Sequence, residues 1–187
     1  MKPFLPPYLK RLKRGPAVIL PKDAGAIITY AGITKHSEVL ECGAGSGFLT
    51  LTLARVCKHV TAVERRQEFV EIIKHNLKTV DNVTIIHADC TTLSLNKRYD
   101  VIVCDVKDPV SVLKHVTQFA KPGATVVCYI PNIDVVHNVY QQLNTLQLTH
   151  VRTITIEERE WLIRERGVRP QNWSLTHTAF LMFLKKE

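Results

Sequence analysis

Val39-Leu40-Glu41-Cys42-Gly43-Ala44-Gly45-Ser46-Gly47-Phe48 runs from strand-forming apolar residues into a turn with three glycines in five positions, and leaves it on a helical pattern. Strand, glycine-rich turn and helix in that order is how an open α/β sheet begins a ligand site. Glycine permits positive φ and close approach of a ligand, and the carboxyl end of such a strand is where these sheets bind. The spacing is G-x-G-x-G, not the dinucleotide G-x-G-x-x-G, and the acid before it, Glu41, suits a cationic amino-acid moiety better than a pyrophosphate. Gly43, Ala44, Gly45, Ser46 and Gly47 are candidate contacts to a nucleotide-type ligand. A purely structural tight turn is the alternative.

The next apolar run supplies a matching feature. Val60-Thr61-Ala62-Val63-Glu64 ends in an acid 21 residues after Gly43, where a carboxylate can accept both ribose hydroxyl protons. Arg65 follows it as a further candidate contact or as its ion partner. Asp89, in Ile86-His87-Ala88-Asp89-Cys90, is placed to accept from an adenine amino group, with a turn or helix-cap role as the alternative.

Strand-like runs fall at Glu38–Cys42, His59–Val63, Val83–His87, Asp100–Asp105 and Ala124–Ile130. Between them, Phe48–Val56, Gln67–Leu77, Val110–Ala120 and Ile133–Leu146 carry apolar residues at helical intervals, and Lys22–Ala31 reads as a helix ahead of the first strand. Two later runs, Val151–Glu157 and Thr178–Leu184, have no clear helix between them and should pair antiparallel. The expected fold is α/β: a doubly wound, mainly parallel seven-stranded sheet with a C-terminal antiparallel hairpin. The expected organisation is a basic, proline-containing arm over residues 1–21 and one domain over 22–187.

With 187 residues, 45% hydrophobic and 22% charged, the chain has the composition of a soluble globular domain and can bury a core without disulfides or a structural metal. No run approaches a membrane span. Five cysteines form an odd set without C-x-x-C and sit mostly in strand-like runs, which fits a reducing, intracellular setting. The eight histidines make no H-x-x-x-H or H-E-x-x-H pattern, so no metal site is expected. Charge is concentrated. Lys2, Lys10, Arg11, Lys13, Arg14 and Lys22 give residues 1–22 a net +6 of the formal +8, leaving 19 basic against 17 acidic residues elsewhere. Such a segment gathers near a polyanion through counterion release, which makes Lys10, Arg11, Lys13 and Arg14 candidate nucleic-acid contacts; a solvated tail is the alternative.

These features in this order resemble the class I S-adenosyl-L-methionine-dependent methyltransferases, whose Rossmann-like parallel sheet ends in an antiparallel hairpin. Arg14-Gly15-Pro16 with Pro21-Lys22-Asp23, Asp105-Val106-Lys107-Asp108-Pro109, Tyr129-Ile130-Pro131-Asn132, and Arg169-Pro170 with His177-Thr178-Ala179-Phe180-Leu181 narrow it further. They resemble elements of the tRNA N1-methyladenosine methyltransferases that act at position 58 of the T-loop, and at 57 beside it. The resemblance implies S-adenosylmethionine as cofactor, tRNA as partner, a cytoplasmic homotetramer, and Asp105 and Tyr129 as catalytic residues. Asp105 would also touch the cofactor and accept from the exocyclic amine of the target adenine; Tyr129 would stack on or orient the flipped base. His177 reads more readily as a structural histidine than as part of the site.

The chain also departs from that family. It begins almost at the R-G-P element, with nothing corresponding to the family's N-terminal β-barrel. Lys107 and Val110 replace the proline and tryptophan of the family's active-site loop, and Leu20 stands where Tyr or His is common. Trp161, Trp173 and four arginines matched by four glutamates over residues 157–169 point to an interface or a solvated face more than to an RNA groove. Two other functions compete: a small-molecule methyltransferase of the precorrin type, and a non-catalytic RNA-binding subunit that keeps the fold.

Overall fold

Val, Ile, Leu and Cys dominate the strands because they fit a pleated surface buried on both sides. The strands are β1 (Glu38–Cys42), β2 (His59–Glu64), β3 (Val83–His87), β4 (Tyr99–Cys104), β5 (Ala120–Ile130), β6 (Leu148–Ile154), β7 (Trp161–Arg164), β8 (Gly167–Pro170) and β9 (Phe180–Lys186). The structure, a computed structural model, describes residues 4–15, 17–172 and 174–187; Lys2, Pro16 and Trp173 lie outside them. Seven strands form one sheet in the order β3-β2-β1-β4-β5-β9-β6, parallel from β3 through β5, with β9 antiparallel to both β5 and β6. The expected doubly wound sheet and its antiparallel end are both present.

Helices α2 (Pro21–Tyr30), α3 (Phe48–Ala54) and α4 (Gln67–Asn76) cover one face; α5 (Pro109–Val116), α6 (Ile133–Gln141) and α7 (Leu143–Leu146) cover the other. Strand alternation divides the core between them. In β4, Ile102 and Cys104 enter the α5–α7 side, while Val101 and Val103 enter the α2–α4 side. Among the described residues no helix is long and apolar enough to cross a membrane.

Several boundaries differ from the sequence reading. The helix expected over Ile133–Leu146 is broken at Gln142, so that Leu143 and Leu146 both turn into the core. Gln147 then takes a left-handed φ of 53°, which ends α7 at once and starts β6 at Leu148, three residues earlier than expected. The connection from β6 to β9 is not plain loop: β7 and β8 pair as a separate two-stranded sheet. The proline-rich start carries a one-turn helix, α1 (Pro7–Lys10), whose Leu9 is buried. Asn76 holds the chain after it, accepting from the Lys13 amide at 2.8 Å and donating to the Lys13 and Ser46 carbonyls, both at 2.8 Å.

A buried polar network ties the start of α2 to the approach to β9. Lys22 Nζ donates to Asp23 Oδ1 (2.7 Å), Ile156 O (2.8 Å) and Thr178 Oγ1 (2.7 Å), and Thr178 Oγ1 donates to Asp23 Oδ2 (2.7 Å). The Asp23 side chain is fully buried and that of Lys22 is 6% exposed. Removing one member of such a pair strands the other charge in a low-dielectric site. Asp23→Ala should therefore lower unfolding stability by about 3–5 kcal/mol in urea titrations, and the double change Lys22→Met with Asp23→Leu should cost less than Asp23→Ala alone.

Candidate functional site

Successive strands run outward from β1 to β3, and the chain then returns to place β4 on the other side of β1. The carboxyl ends of β1 and β4 thus meet at a topological switch point, where open α/β sheets bind ligands. The Asp105 amide donates to the Cys42 carbonyl at 2.9 Å. Gly43, with φ of 87°, lies so close beneath that an added Cβ would fall 2.0 Å from the Asp105 carbonyl oxygen. Gly47, φ 82°, opens α3 with its Cα turned toward Ile73, whose Cγ1 lies 2.8 Å from where a Cβ would be. The turn is fixed from β2: the Gly43 and Ala44 amides donate to the Val63 carbonyl at 2.9 and 3.0 Å, and the Gly45 amide donates to Glu64 Oε2 at 2.9 Å.

Above the turn is a cavity of about 850 Å³, within the size range of small-molecule sites. Glu41, Gly43, Ala44, Gly45, Ser46, Glu64, Arg65, Asp89 and Asp105 all line it, as does Lys107. Gly47 shapes the turn without lining the cavity. Tyr129 does not reach it either: the ring is buried, and its hydroxyl faces Asp23 and Thr178 in the network described above. The residues after it, Ile130, Pro131 and Asn132, form the wall instead. His177 supports that wall, its Nε2 lying 2.9 Å from the Pro131 carbonyl. Val110 is packed into the α5–α7 core, not into the cavity.

Arg66, which no sequence pattern picked out, also lines the cavity, and its side chain grips Glu64 from Nε (2.9 Å) and Nη2 (3.2 Å). Asp89 behaves partly as a turn residue, since its Oδ1 accepts from the Thr91 amide (2.8 Å) and hydroxyl (2.7 Å), while Oδ2 lies 3.6 Å from Arg65 Nη1. Lys10, Arg11, Lys13 and Arg14 are all exposed. Among the described residues, no group of three or more His, Cys, Asp and Glu side chains is placed to hold a metal ion.

Three carboxyl groups meet at the cavity in three environments. Glu41 is 2% exposed and its Oε2 accepts no hydrogen bond among the described residues. Burial, helped by the charges of Asp105 and Glu64, pushes it up to about 8. Burial likewise pushes Asp105 up to about 7, against the pull of Arg66. For Glu64 burial acts in the same direction, but hydrogen bonds from Arg66 and Gly45 outweigh it and hold the carboxyl below its usual range. A buried acceptor lacking a donor, beside an acid of raised pKa and a glycine turn, fits a ligand with a cationic end. An ionised acid at the end of β2 fits a sugar diol.

Glu41 and Asp105 both hold a proton more tightly folded than at their ordinary values of 4.5 and 3.8. Their contribution to stability is therefore full below about pH 4 and is lost as pH rises through about 7 for Asp105 and about 8 for Glu41. Glu41→Gln should accordingly be more stable than the parent protein at pH 9 and no more stable at pH 4, as measured by urea midpoints. Equal midpoints for the two proteins at pH 9 would show that Glu41 ionises without penalty.

Residues 21–148 match the family described as ribosomal RNA adenine dimethylase. The tRNA (adenine(58)-N(1))-methyltransferase TrmI of Thermus thermophilus is 31% identical over 192 residues, covering 99% of this chain and 75% of that protein. The tRNA (adenine(57)-N(1)/adenine(58)-N(1))-methyltransferase TrmI of Methanocaldococcus jannaschii is 30% identical over 97% of this chain and 76% of its own length. The crystal structure of the tRNA (m1A58) methyltransferase TrmI from Aquifex aeolicus superposes with a TM-score of 0.90 at 25% identity, covering all of this chain and 77% of that one. Identity at this level along nearly the whole chain, with the same fold, means that the chain belongs to the TrmI family of methyltransferases.

Proposed function

We propose that this protein is an S-adenosylmethionine-dependent tRNA methyltransferase acting on N1 of adenine in the T-loop, at position 58, with the adjacent 57 as an additional site. The observation that carries the reading is the convergence of Glu41, Glu64 and Asp105 on one cavity at the switch point of a TrmI-family fold. The names of the Thermus and Methanocaldococcus relatives support the nucleoside and the positions.

S-adenosylmethionine supplies a methyl group already activated on a sulfonium. Glu41 would meet its amino-acid end, the turn from Gly43 to Ser46 would lie along it, Glu64 would accept from its ribose, and Asp89 with Arg65 would border its adenine. What remains for the protein is to align the acceptor nitrogen and exclude water. Asp105, at the end of β4, accepts from the exocyclic amine of the target adenine and stabilises the positive charge that the ring gains on methylation. Pro131 and Asn132 form the wall against which a flipped base rests. Tyr129 and His177 hold that wall in place from behind. Lys107 puts an exposed cation at the rim beside Asp105, suited to a phosphate.

The arm of residues 1–21 presents Lys10, Arg11, Lys13 and Arg14 to the RNA, anchored by buried Leu9 and by Asn76; its Ala17, Val18 and Ile19 line the cavity together with residues of the 22–187 domain, which carries the acids. In this reading the enzyme is cytoplasmic, needs no metal and works as a homo-oligomer, a tetramer by family resemblance. The β7–β8 hairpin supports the assembly: Ile163 and Val168 face each other across its register, and both are exposed with Trp161 on the same face.

Incubation with labelled S-adenosylmethionine and unmodified tRNA, followed by digestion and mass spectrometry, should give N1-methyladenosine in the T-loop. Asp105→Asn should reduce turnover at least about a hundredfold while leaving cofactor affinity within a few-fold. An unmethylated T-loop with cofactor bound would remove the substrate assignment, and normal turnover by the variant would remove Asp105 from the mechanism. Replacing Lys10, Arg11, Lys13 and Arg14 by serine should flatten the dependence of tRNA affinity on salt by about 0.7–0.9 in log–log slope for each phosphate no longer neutralised. An unaltered slope would leave the arm without a role in binding.

A further inference from the structure

The Glu64 carboxylate is fully subscribed. Oε1 accepts from the Arg66 amide (2.9 Å) and Arg66 Nε (2.9 Å); Oε2 accepts from the Gly45 amide (2.9 Å) and Arg66 Nη2 (3.2 Å). A carboxylate offers about four lone-pair positions, so no acceptor is left over. Two of the four donors are backbone amides fixed by the glycine turn and the start of α4. The other two belong to one mobile side chain. A ribose diol brings two hydroxyl donors, the same number that the guanidinium contributes. Sugar binding at Glu64 is thus an exchange of two donors for two, in which the Arg66 side chain leaves and the amides stay.

The surroundings set where the guanidinium can go. Its charge lies 4.0 Å from the centre of the Phe69 ring, and the side chain is 48% exposed, so it is already half in solvent and rides on an aromatic surface. Phe69 also meets the arm: a Cβ on Gly15 would fall 2.7 Å from the ring. Gly15 directly follows the basic Lys13-Arg14 pair. An arginine that pivots on Phe69 away from Glu64 therefore joins the cations of the arm at the rim of the cavity.

We propose that Arg66 couples the two substrates of this enzyme: it holds the ribose-accepting carboxylate until a ribose takes its place, and then adds its charge to the surface that meets RNA phosphates. The inference rests on reading the cavity as the S-adenosylmethionine site. It makes cofactor and tRNA binding cooperative, and linkage requires each to raise the affinity of the other by the same factor. Arg66 is a positioning residue, competing for one substrate and assisting the other.

The test uses S-adenosylhomocysteine, which carries the ribose but cannot react. Calorimetry should show Arg66→Met, which keeps an aliphatic stem over Phe69, binding it at least about fivefold more tightly than wild type. Fluorescence anisotropy with labelled tRNA should show wild-type affinity rising by at least about fivefold when S-adenosylhomocysteine saturates, and Arg66→Met showing no such rise. Arg66→Lys, which keeps the charge but not the fork, should bind S-adenosylhomocysteine more tightly than wild type and retain part of the tRNA enhancement. A merely structural arginine would instead weaken both ligands on removal. Unchanged or weaker S-adenosylhomocysteine binding by Arg66→Met, or a wild-type tRNA affinity indifferent to it, would overturn the coupling alone. Failure of wild type to bind S-adenosylhomocysteine would overturn the site reading and the coupling together.

Discussion

Everything at the carboxyl edge of the sheet depends on β1 and β4 ending close enough for the Asp105 amide to donate to the Cys42 carbonyl. That single bond brings the end of one strand over the turn of the other, and only a residue without a side chain fits at Gly43 beneath it. The same closeness places the Asp105 carboxyl beside Glu41 and within electrostatic reach of Glu64. A wider gap would leave room for a side chain, but it would separate Asp105 from the glycine turn and from Glu41.

Three acids at one cavity would repel one another if all were ionised, and the fold avoids this by giving each a different environment. Arg66 and the Gly45 amide keep Glu64 charged, while burial raises Glu41 to about 8 and Asp105 to about 7, so that neither is fully ionised near neutrality. A cation entering the cavity favours the ionised form of the latter two, so that binding and proton release go together. The site is therefore tuned to positive ligands without carrying three full negative charges in their absence.

The sheet could be read from the chain because strand residues are apolar enough to stand out between turns; Glu38–Cys42, buried throughout, and Val83–His87, the part-buried edge strand, begin and end where the runs do. That Glu41, Glu64 and Asp105 would line one cavity was legible because strand ends at a glycine turn have few places to go. The β7–β8 hairpin was not, since each strand has only four residues, almost all exposed, and β8 begins with Gly167 and ends with Pro170, residues that mark turns. The surroundings of Tyr129 were hidden for a different reason: residue type cannot tell whether a strand-end ring faces the cavity or, as here, the Asp23–Thr178 network, which is built from positions more than 150 residues apart. Arg66 escaped notice because it lies in no repeating pattern and acquires its meaning only through the bonds it makes to Glu64.

Cys42, Cys104 and Cys128 stand in register on three adjacent strands, facing the α5–α7 core, and none has any solvent exposure. The sulfurs of Cys42 and Cys104 close the carboxyl ends of β1 and β4, and that of Cys128 lies beside them in β5, all beneath the helices α5–α7. The molecule consequently carries its own reporter of opening on this face: thiol-reactive dyes reach these three when α5–α7 lift from the central strands, so their labelling rate is a clock for that event.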